Sequence, residues 1–358
     1  MALVENGGNK PAKKASGKAA PAPYVEPEDD IFAAGDKENQ PAAAAAPKKK
    51  KTVEETYQKL TQLEHVLLRP DTYIGSTEMN RTKLWVFEEG GLTQREVTYV
   101  PGLYKIFDEI LVNAADNKQR NGGMDTMKVN IDSENGLISV YNNGGGIPVE
   151  MHNEEKCWVP ELIFGHLLTS SNYNDSEKKT TGGRNGYGAK LANIFSTEFT
   201  IETADGSRSG RKYKQTFSNN MQTKGTPKVK DCKSSENWTC ISFKPDLAKF
   251  GMERLDEDIV ALMKRRVYDM AGCTPSVKGC TPGVKVFLQD ERLKVKNFEE
   301  YCKLYLASVG REKEDGKYCK LYLASVEKED GKVPEHVHLK AGDRWEIVVA
   351  ASEGQFQQ

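Results

Sequence analysis

Ten residues near the middle of the chain, Thr181-Gly182-Gly183-Arg184-Asn185-Gly186-Tyr187-Gly188-Ala189-Lys190, restrict it more than any other stretch. They hold four glycines and two cations. A glycine-rich loop can turn backbone N–H groups toward an anion at close range, because no Cβ stands in the way. A helix starting near Ala189 would add its N-terminal amides at the same place. This is a phosphate cradle of an uncommon kind. A P-loop needs Lys-Ser/Thr straight after its last glycine, and Gly188 is followed by Ala189. A dinucleotide fingerprint reads G-x-G-x-x-G after a strand, whereas this loop reads G-x-x-G-x-G after polar residues. The bland reading is a surface loop, and two upstream segments argue against it.

Leu103, Phe107, Ile110, Leu111 and Ala114 recur at helical spacing and predict one apolar helix face. Glu109, Asn113, Asp116 and Asn117 fall at i, i+4, i+7 and i+8 and stack on another. Asn and Asp are poor helix formers, so a helix that carries three of them is expected to use them. A merely solvated face would carry Lys, Glu and Gln instead. Further on, Leu137-Ile138-Ser139-Val140-Tyr141 reads as a short strand that runs into Asn142-Asn143-Gly144-Gly145-Gly146 and stops at Pro148. Such a strand end presents an amide to a flat ligand, and its glycines allow the ligand close to the backbone. The plain alternative is a tight turn.

Composition narrows the classes. Fifty-one basic and 52 acidic residues nearly cancel, so any nucleic-acid contact must come from local patches. No apolar run approaches a membrane span, and no signal-peptide core opens the chain. The seven cysteines contain no C-x-x-C pair and read as reduced thiols. His336-x-His338 is the one histidine pair on a strand-like stretch, and solvated histidines explain it. Residues 1–50 are rich in Ala, Pro, Lys and Glu and cannot bury enough surface to fold. Pro47-Lys48-Lys49-Lys50-Lys51 has the form of a nuclear-import or phosphate-binding run. Lys37-Glu38-Asn39 matches a degradation tripeptide and is treated as chance.

The order of the three segments resembles that of the GHKL ATPase superfamily, which includes gyrase, MutL-type repair proteins and histidine kinases. More closely, the chain is similar to the ATPase region of eukaryotic type II DNA topoisomerases, plant versions included. That resemblance rests on 62–75 (Gln62-Leu63-Glu64-His65 through Ile74-Gly75), 99–109, 168–173 and 182–190, and covers roughly residues 53–358. It implies an α+β fold: a GHKL (Bergerat) sandwich of a mixed sheet with helices on one face. It also implies a disordered basic tail over 1–52, an ATPase domain over 53–283 and the start of a transducer domain over 284–358. Residues 53–63 would form a strap that crosses to a second copy in a homodimer.

The resemblance also implies roles for single residues. Glu109 would polarise the attacking water. Asn113 would hold Mg2+, with Asn117 nearby in the phosphate pocket of ATP. Asn142 would read the adenine amino group. Ser170, Ser171 and Asn172 would contact ribose and phosphates. Gly183, Arg184, Asn185, Gly186, Tyr187, Gly188, Ala189 and Lys190 would form the lid over the triphosphate. DNA as partner and the nucleus as location also follow from the resemblance alone. Phosphoryl transfer asks mainly for positioning and charge neutralisation, which such a set supplies.

Some features depart from the family pattern. Gly145 stands where relatives often carry Lys. The family's Gln-Thr-Lys loop, whose lysine meets the γ-phosphate, is expected further along than this chain runs. Gln222-Thr223-Lys224 is read as a coincidence in a polar loop. The chain is accordingly expected to bind ATP, to turn it over slowly if at all, and not to cleave DNA. The alternatives are an inactive ATP-binding or dimerising module and a chaperone or kinase with the same site.

Beyond the lid, strands are expected at 199–203, 211–217 and 238–243, a helix near 256–269 and a strand at 284–288. A capping box is expected at Thr52 and Glu55. Tyr301-Cys302-Lys303-Leu304-Tyr305-Leu306-Ala307-Ser308-Val309 recurs verbatim at 318–326. Two copies at so short a period are not a solenoid and read as a recent tandem duplication or a gene-model error. One copy should pack poorly.

Overall fold

The structure, a computed structural model, describes residues 59–169, 186–274, 283–309, 336–341 and 345–350. Helices α1 (Gln62–Leu68) and α2 (Asp71–Ile74) come first. Thr61 and Glu64 build the capping box of α1, with Thr61 N donating to the Glu64 carboxylate at 2.8 Å and Glu64 N to Thr61 Oγ1 at 3.2 Å. The box expected at Thr52 and Glu55 lies outside the described residues. Arg69, at φ −127°, leaves the helical region because Pro70 follows it. β1 (Asn80–Glu88) and β2 (Gly91–Tyr99) pair as an antiparallel hairpin of their own. Next comes α3 (Pro101–Arg120), whose first-turn proline has no N–H to leave unpaired and whose last-turn Lys118 and Arg120 suit the C-terminal partial charge.

The main sheet has nine strands. They are β3 (Thr126–Asp132), β4 (Leu137–Asn143), β5 (Ser196–Asp205), β6 (Arg211–Ser218), β7 (Thr223–Lys224), β8 (Lys228–Asp231), β9 (Asn237–Pro245), β10 (Lys285–Leu288) and β11 (Glu291–Arg292). Their order is β11-β10-β3-β4-β9-β5-β6-β7, with β8 also on β6. Only β10 and β3 are parallel, so the sheet is mixed, as expected of an α+β fold. Four further α-helices are described, α4 (Val159–Gly165), α5 (Gly188–Ile194), α6 (Glu257–Cys273) and α7 (Phe298–Val309), with a 3-10 turn at Leu247–Phe250. A hairpin of β12 (His336–Ala341) and β13 (Trp345–Ala350) follows.

Strand periodicity decides what faces the helices. Met127, Val129 and Ile131 of β3, Ile138 and Val140 of β4, and Phe199 and Ile201 of β5 alternate inward. They share one core with Leu103, Phe107, Ile110 and Leu111 of α3 and with Ile259, Met263 and Val267 of α6. The helix and strands expected at 103–117, 137–141, 199–203, 211–217, 238–243 and 256–269 are all present.

Two expectations change. The strand expected at the start of a second domain is there, but β10 lies beside β3 in the main sheet, with Phe287 opposite Lys128. Val286 and Leu288 are buried and need the same core, so residues 285–292 extend the first layer. Gln222-Thr223-Lys224 is only partly loop, with Gln222 in a turn. Thr223 and Lys224 form β7, and Lys224 Nζ lies 2.7 Å from the buried Glu161 of α4. The first copy of the repeat lies in α7, and the second lies outside the described residues.

Candidate active site

α3 and β4 run side by side under α5, and the site grows from their facing residues. The apolar face of α3 is buried as the spacing requires, which points Glu109, Asn113 and Asn117 along one side. Glu109 reaches the start of α5. A Cβ on Gly188 would stand 1.9 Å from Glu109 Oε2, so only glycine lets the two elements meet. Lys105, one turn back on α3, holds the other oxygen at 2.5 Å. Asn113 is half-buried, and its side chain forms no hydrogen bond with a described residue.

The Asn142–Asn143 pair divides by strand parity. Asn142 continues the inward series Ile138, Val140 and is buried, the polar member of an apolar row. Its Nδ2 donates to the Asn143 carbonyl at 3.1 Å, which leaves Oδ1 as an acceptor under the helices. Asn143 faces the other way and serves the fold. Its Oδ1 accepts from Asp125 N and Thr126 N at 3.0 and 2.9 Å, and its Nδ2 donates to Asp125 Oδ1 at 2.7 Å. Those contacts, the Asn143 amide first and the Thr126 hydroxyl next, hold the Asp125 carboxyl below the usual range. Asn117 Nδ2 donates to the Asn143 carbonyl at 3.3 Å. That ties α3 to the end of β4, a structural task the sequence did not disclose.

The glycines after Asn143 also serve the protein itself. Gly144 has φ +106° and abuts Met124 and Asn117. A Cβ on Gly146 would lie 1.8 Å from the Ala204 carbonyl oxygen of β5, so this loop is glycine-rich in part to pass that strand. Ile147 N then donates to the buried Thr203 Oγ1 at 3.0 Å.

Lys190 is the strongest electrostatic feature. It is 3% exposed, its Nζ donates to the Thr169 carbonyl, and it forms no ion pair with a described residue. Burial pushes its ammonium down to about 8. A buried cation facing no carboxylate is suited to an anionic ligand. Tyr187 precedes α5 and meets the Tyr73 ring at 5.8 Å, while Tyr73 OH lies 2.9 Å from His65 Nδ1. The 62–75 stretch therefore packs against the residue that leads into α5. Asn193 Nδ2 donates to the Phe164 carbonyl at 3.0 Å and anchors the same helix from α4.

Of the expected site residues, Glu109, Asn113, Asn117, Asn142, Gly186, Tyr187, Gly188, Ala189 and Lys190 are placed around α3, β4 and α5. Ser170, Ser171, Asn172, Gly183, Arg184 and Asn185 lie outside the described residues. Lys105, Asp125, Asn143 and Thr203 were missed. Strand parity would have separated Asn143 from Asn142, whereas Asp125 and Thr203 come together with it only through sheet pairing.

A layer of helices on a mixed sheet, with an amide-bearing helix under a glycine-rich helix start, defines a nucleotide-binding ATPase module. Residues 98–248 match the family described as "Histidine kinase-, DNA gyrase B-, and HSP90-like ATPase". The chain is 59% identical over 308 residues to DNA topoisomerase 2 of Pisum sativum and 54% identical over 309 residues to DNA topoisomerase 2-alpha of Homo sapiens. Each match covers 86% of this chain, which spans 19% and 18% of those proteins. The solved ATPase region of Saccharomyces cerevisiae topoisomerase II aligns with a TM-score of 0.74 at 47% identity, over 85% of this chain and 73% of that one. The chain belongs to the family of eukaryotic type II topoisomerase ATPase regions.

Proposed function

We propose that this chain binds Mg-ATP between α3, β4 and α5 and hydrolyses it with Glu109 as general base, as the ATPase part of an enzyme that changes DNA topology. The observation that carries the reading is Lys190, a buried ammonium with no carboxylate partner among the described residues, beside a helix start that only glycine can bring to Glu109. Its charge suits a phosphate. Asn142 Oδ1 accepts from the adenine amino group at the buried end of β4. Asn113 would hold Mg2+ through its amide oxygen, and the ion when bound neutralises charge on the phosphates. The Glu109 carboxylate, held by Lys105, accepts a proton from water and orients it for attack. Ser170, Ser171, Asn172, Gly183, Arg184 and Asn185 complete the contacts to sugar and phosphates. DNA is the proposed partner of the whole enzyme. A homodimer with residues 53–63 as strap and a nuclear location served by Lys48–Lys51 complete the proposal.

Two variants test the roles. Glu109→Gln keeps the shape and loses the base, so turnover should fall by about two to four decades while an ATP analogue still binds. Asn113→Ala should abolish Mg-dependent analogue binding with the fold intact by circular dichroism. Wild-type turnover in the first, or unchanged affinity in the second, removes that residue from the site.

A further inference from the structure

The nine-residue repeat, which the ATPase chemistry leaves unused, meets a specific surface in its first copy. Tyr301 of α7 packs on Gly272 of α6, where any Cβ would stand 2.4 Å from the ring, and its hydroxyl donates to Asp269 Oδ1 at 2.7 Å. Arg265 Nε donates to the Tyr305 hydroxyl at 3.3 Å, and the Tyr305 ring meets Trp85 of β1 edge-on with centroids 5.1 Å apart. Leu306, the next residue, is buried. The seat therefore takes a tyrosine, a second tyrosine four residues on and a leucine straight after it, which a helix puts on one side.

Residues 318–326 repeat the first copy letter for letter, so Tyr318, Tyr322 and Leu323 stand at the same spacing. Discrimination is a difference of affinities, and identical side chains give none. Only the flanks differ. Glu299, just before the first copy, pairs with Lys303 at 2.7 Å and lies 3.2 Å from His336 Nε2 of β12, whereas Gly316 stands at the matching place before the second. Contacts of that kind near the surface are weak, so they favour the first copy without reserving the seat for it. Chain length permits exchange. Glu299 and Val309 are ten residues apart on α7, about 15 Å along its axis. With the second copy seated, residues 327–335 must return over that length to His336, and nine extended residues span up to about 30 Å.

We propose that the surface formed by Trp85, Arg265, Asp269 and Gly272 binds either copy of the repeat, 301–309 or 318–326, and that the two exchange on it within one chain. Exchange moves seventeen residues of tether from one side of the seated helix to the other. The link to the β12–β13 hairpin is 26 residues long with the first copy seated and nine with the second. Occupancy of the seat thereby sets how far the hairpin can stray from α6.

The test uses cysteines already in the full chain. Cys273 follows Gly272 and Cys302 follows Tyr301, so the two thiols flank the contact, and Cys319 takes the place of Cys302 when the second copy is seated. The protein is treated with a short bis-maleimide, and cross-linked peptides are identified by mass spectrometry. Wild type should give mainly the Cys273–Cys302 product with a minor Cys273–Cys319 product. Y301A/Y305A should raise the Cys319 to Cys302 ratio roughly tenfold or more, since truncating a buried aromatic shifts an equilibrium by at least that much. Y318A/Y322A should leave the Cys302 product as it was and cut the Cys319 product to the level of stray collision. In urea, Y301A/Y305A should unfold near the wild-type midpoint, because the second copy fills the seat, and the variant lacking all four tyrosines well below it. Failure of Y301A/Y305A to fold, or a midpoint equal to that of the four-tyrosine variant, overturns the proposal. So does a Cys319 product that Y318A/Y322A does not reduce. A Cys319 yield that rises with protein concentration gives the seat to a second chain and overturns exchange within one.

Discussion

At the scale of single residues, the site is a set of polar groups held where apolar ones would pack. Asn142 occupies an inward position of β4, and Lys190 is buried in α5 and donates to the Thr169 carbonyl. Lys190 gives the site a pH signature. Its folded value near 8 lies below the ordinary 10.5, so from about pH 8 to 10.5 the unfolded chain binds more protons. Stability without nucleotide should therefore rise with pH through that window and show no contribution from Lys190 to its slope below it. Nucleotide affinity should move the opposite way and fall above about pH 8, as the ammonium loses its charge. Melting curves of wild type and Lys190→Met from pH 7 to 10.5, with analogue binding at each pH, check both. Parallel stability curves in the two chains would sink the assignment.

At the scale of elements, α3 and α5 fit because one residue lacks a side chain. Gly188→Ala forces the Glu109 carboxylate or α5 aside, and Lys105 limits where the carboxylate can go. Overpacking of this kind costs about 1–3 kcal/mol. Turnover should fall with stability, and Gly188→Ala should cost much less in a Glu109→Ala background, as a urea double-mutant cycle would measure. Strictly additive losses would mean that the two residues do not meet. At the start of the described chain, Thr61→Ala removes the capping box of α1 and should cost about 1 kcal/mol, seen as faster amide exchange across 62–68. Unchanged exchange would show that α1 is held by packing alone.

Across the whole molecule, one buried charge network joins the site helix to α6 and α7. Arg266 Nε meets Asp108 Oδ1 at 2.7 Å, and Asp108 precedes Glu109 on α3. Arg265 lies 3.3 Å from Asp269, and the Tyr301 hydroxyl donates to the same carboxylate at 2.7 Å. Burial raises the Asp269 carboxyl, with the Arg265 charge the main opposing influence. Tyr301 also packs on Gly272, where any Cβ would lie 2.4 Å from its ring. Arg266→Met strands Asp108. Breaking a buried pair costs about 3–5 kcal/mol, and a quarter-exposed arginine belongs at or below the low end. Asp108→Asn with Arg266→Met should recover more than half of that loss, read from urea midpoints. No recovery would mean that Arg266 acts through its packing and not its charge.

Much of the site was legible because helices and strands write their faces into the chain at periods of 3.6 and 2. Leu103, Phe107, Ile110 and Leu111 marked the buried face of α3 and so placed Glu109, Asn113 and Asn117 on another. The glycine spacing of 182–188 marked a candidate phosphate loop, and long motifs such as 62–75 carried the family. Less legible were residues whose work depends on a neighbour distant in the chain. Asn143 carried no assigned role, and it pins Asp125 because strand parity turns it away from the face that Asn142 occupies. Lys224 looked like loop and instead pairs with Glu161, 63 residues earlier. β10 looked like a new beginning and instead closes on β3, because Val286 and Leu288 share the core that β3 covers. Sequence by itself determined the elements, the buried faces and the list of chemical groups, since these follow from local spacing. Only the tertiary structure decided which glycine touches Glu109, which carboxylate Lys224 meets and which strand β10 joins, since those are meetings between segments far apart in the chain.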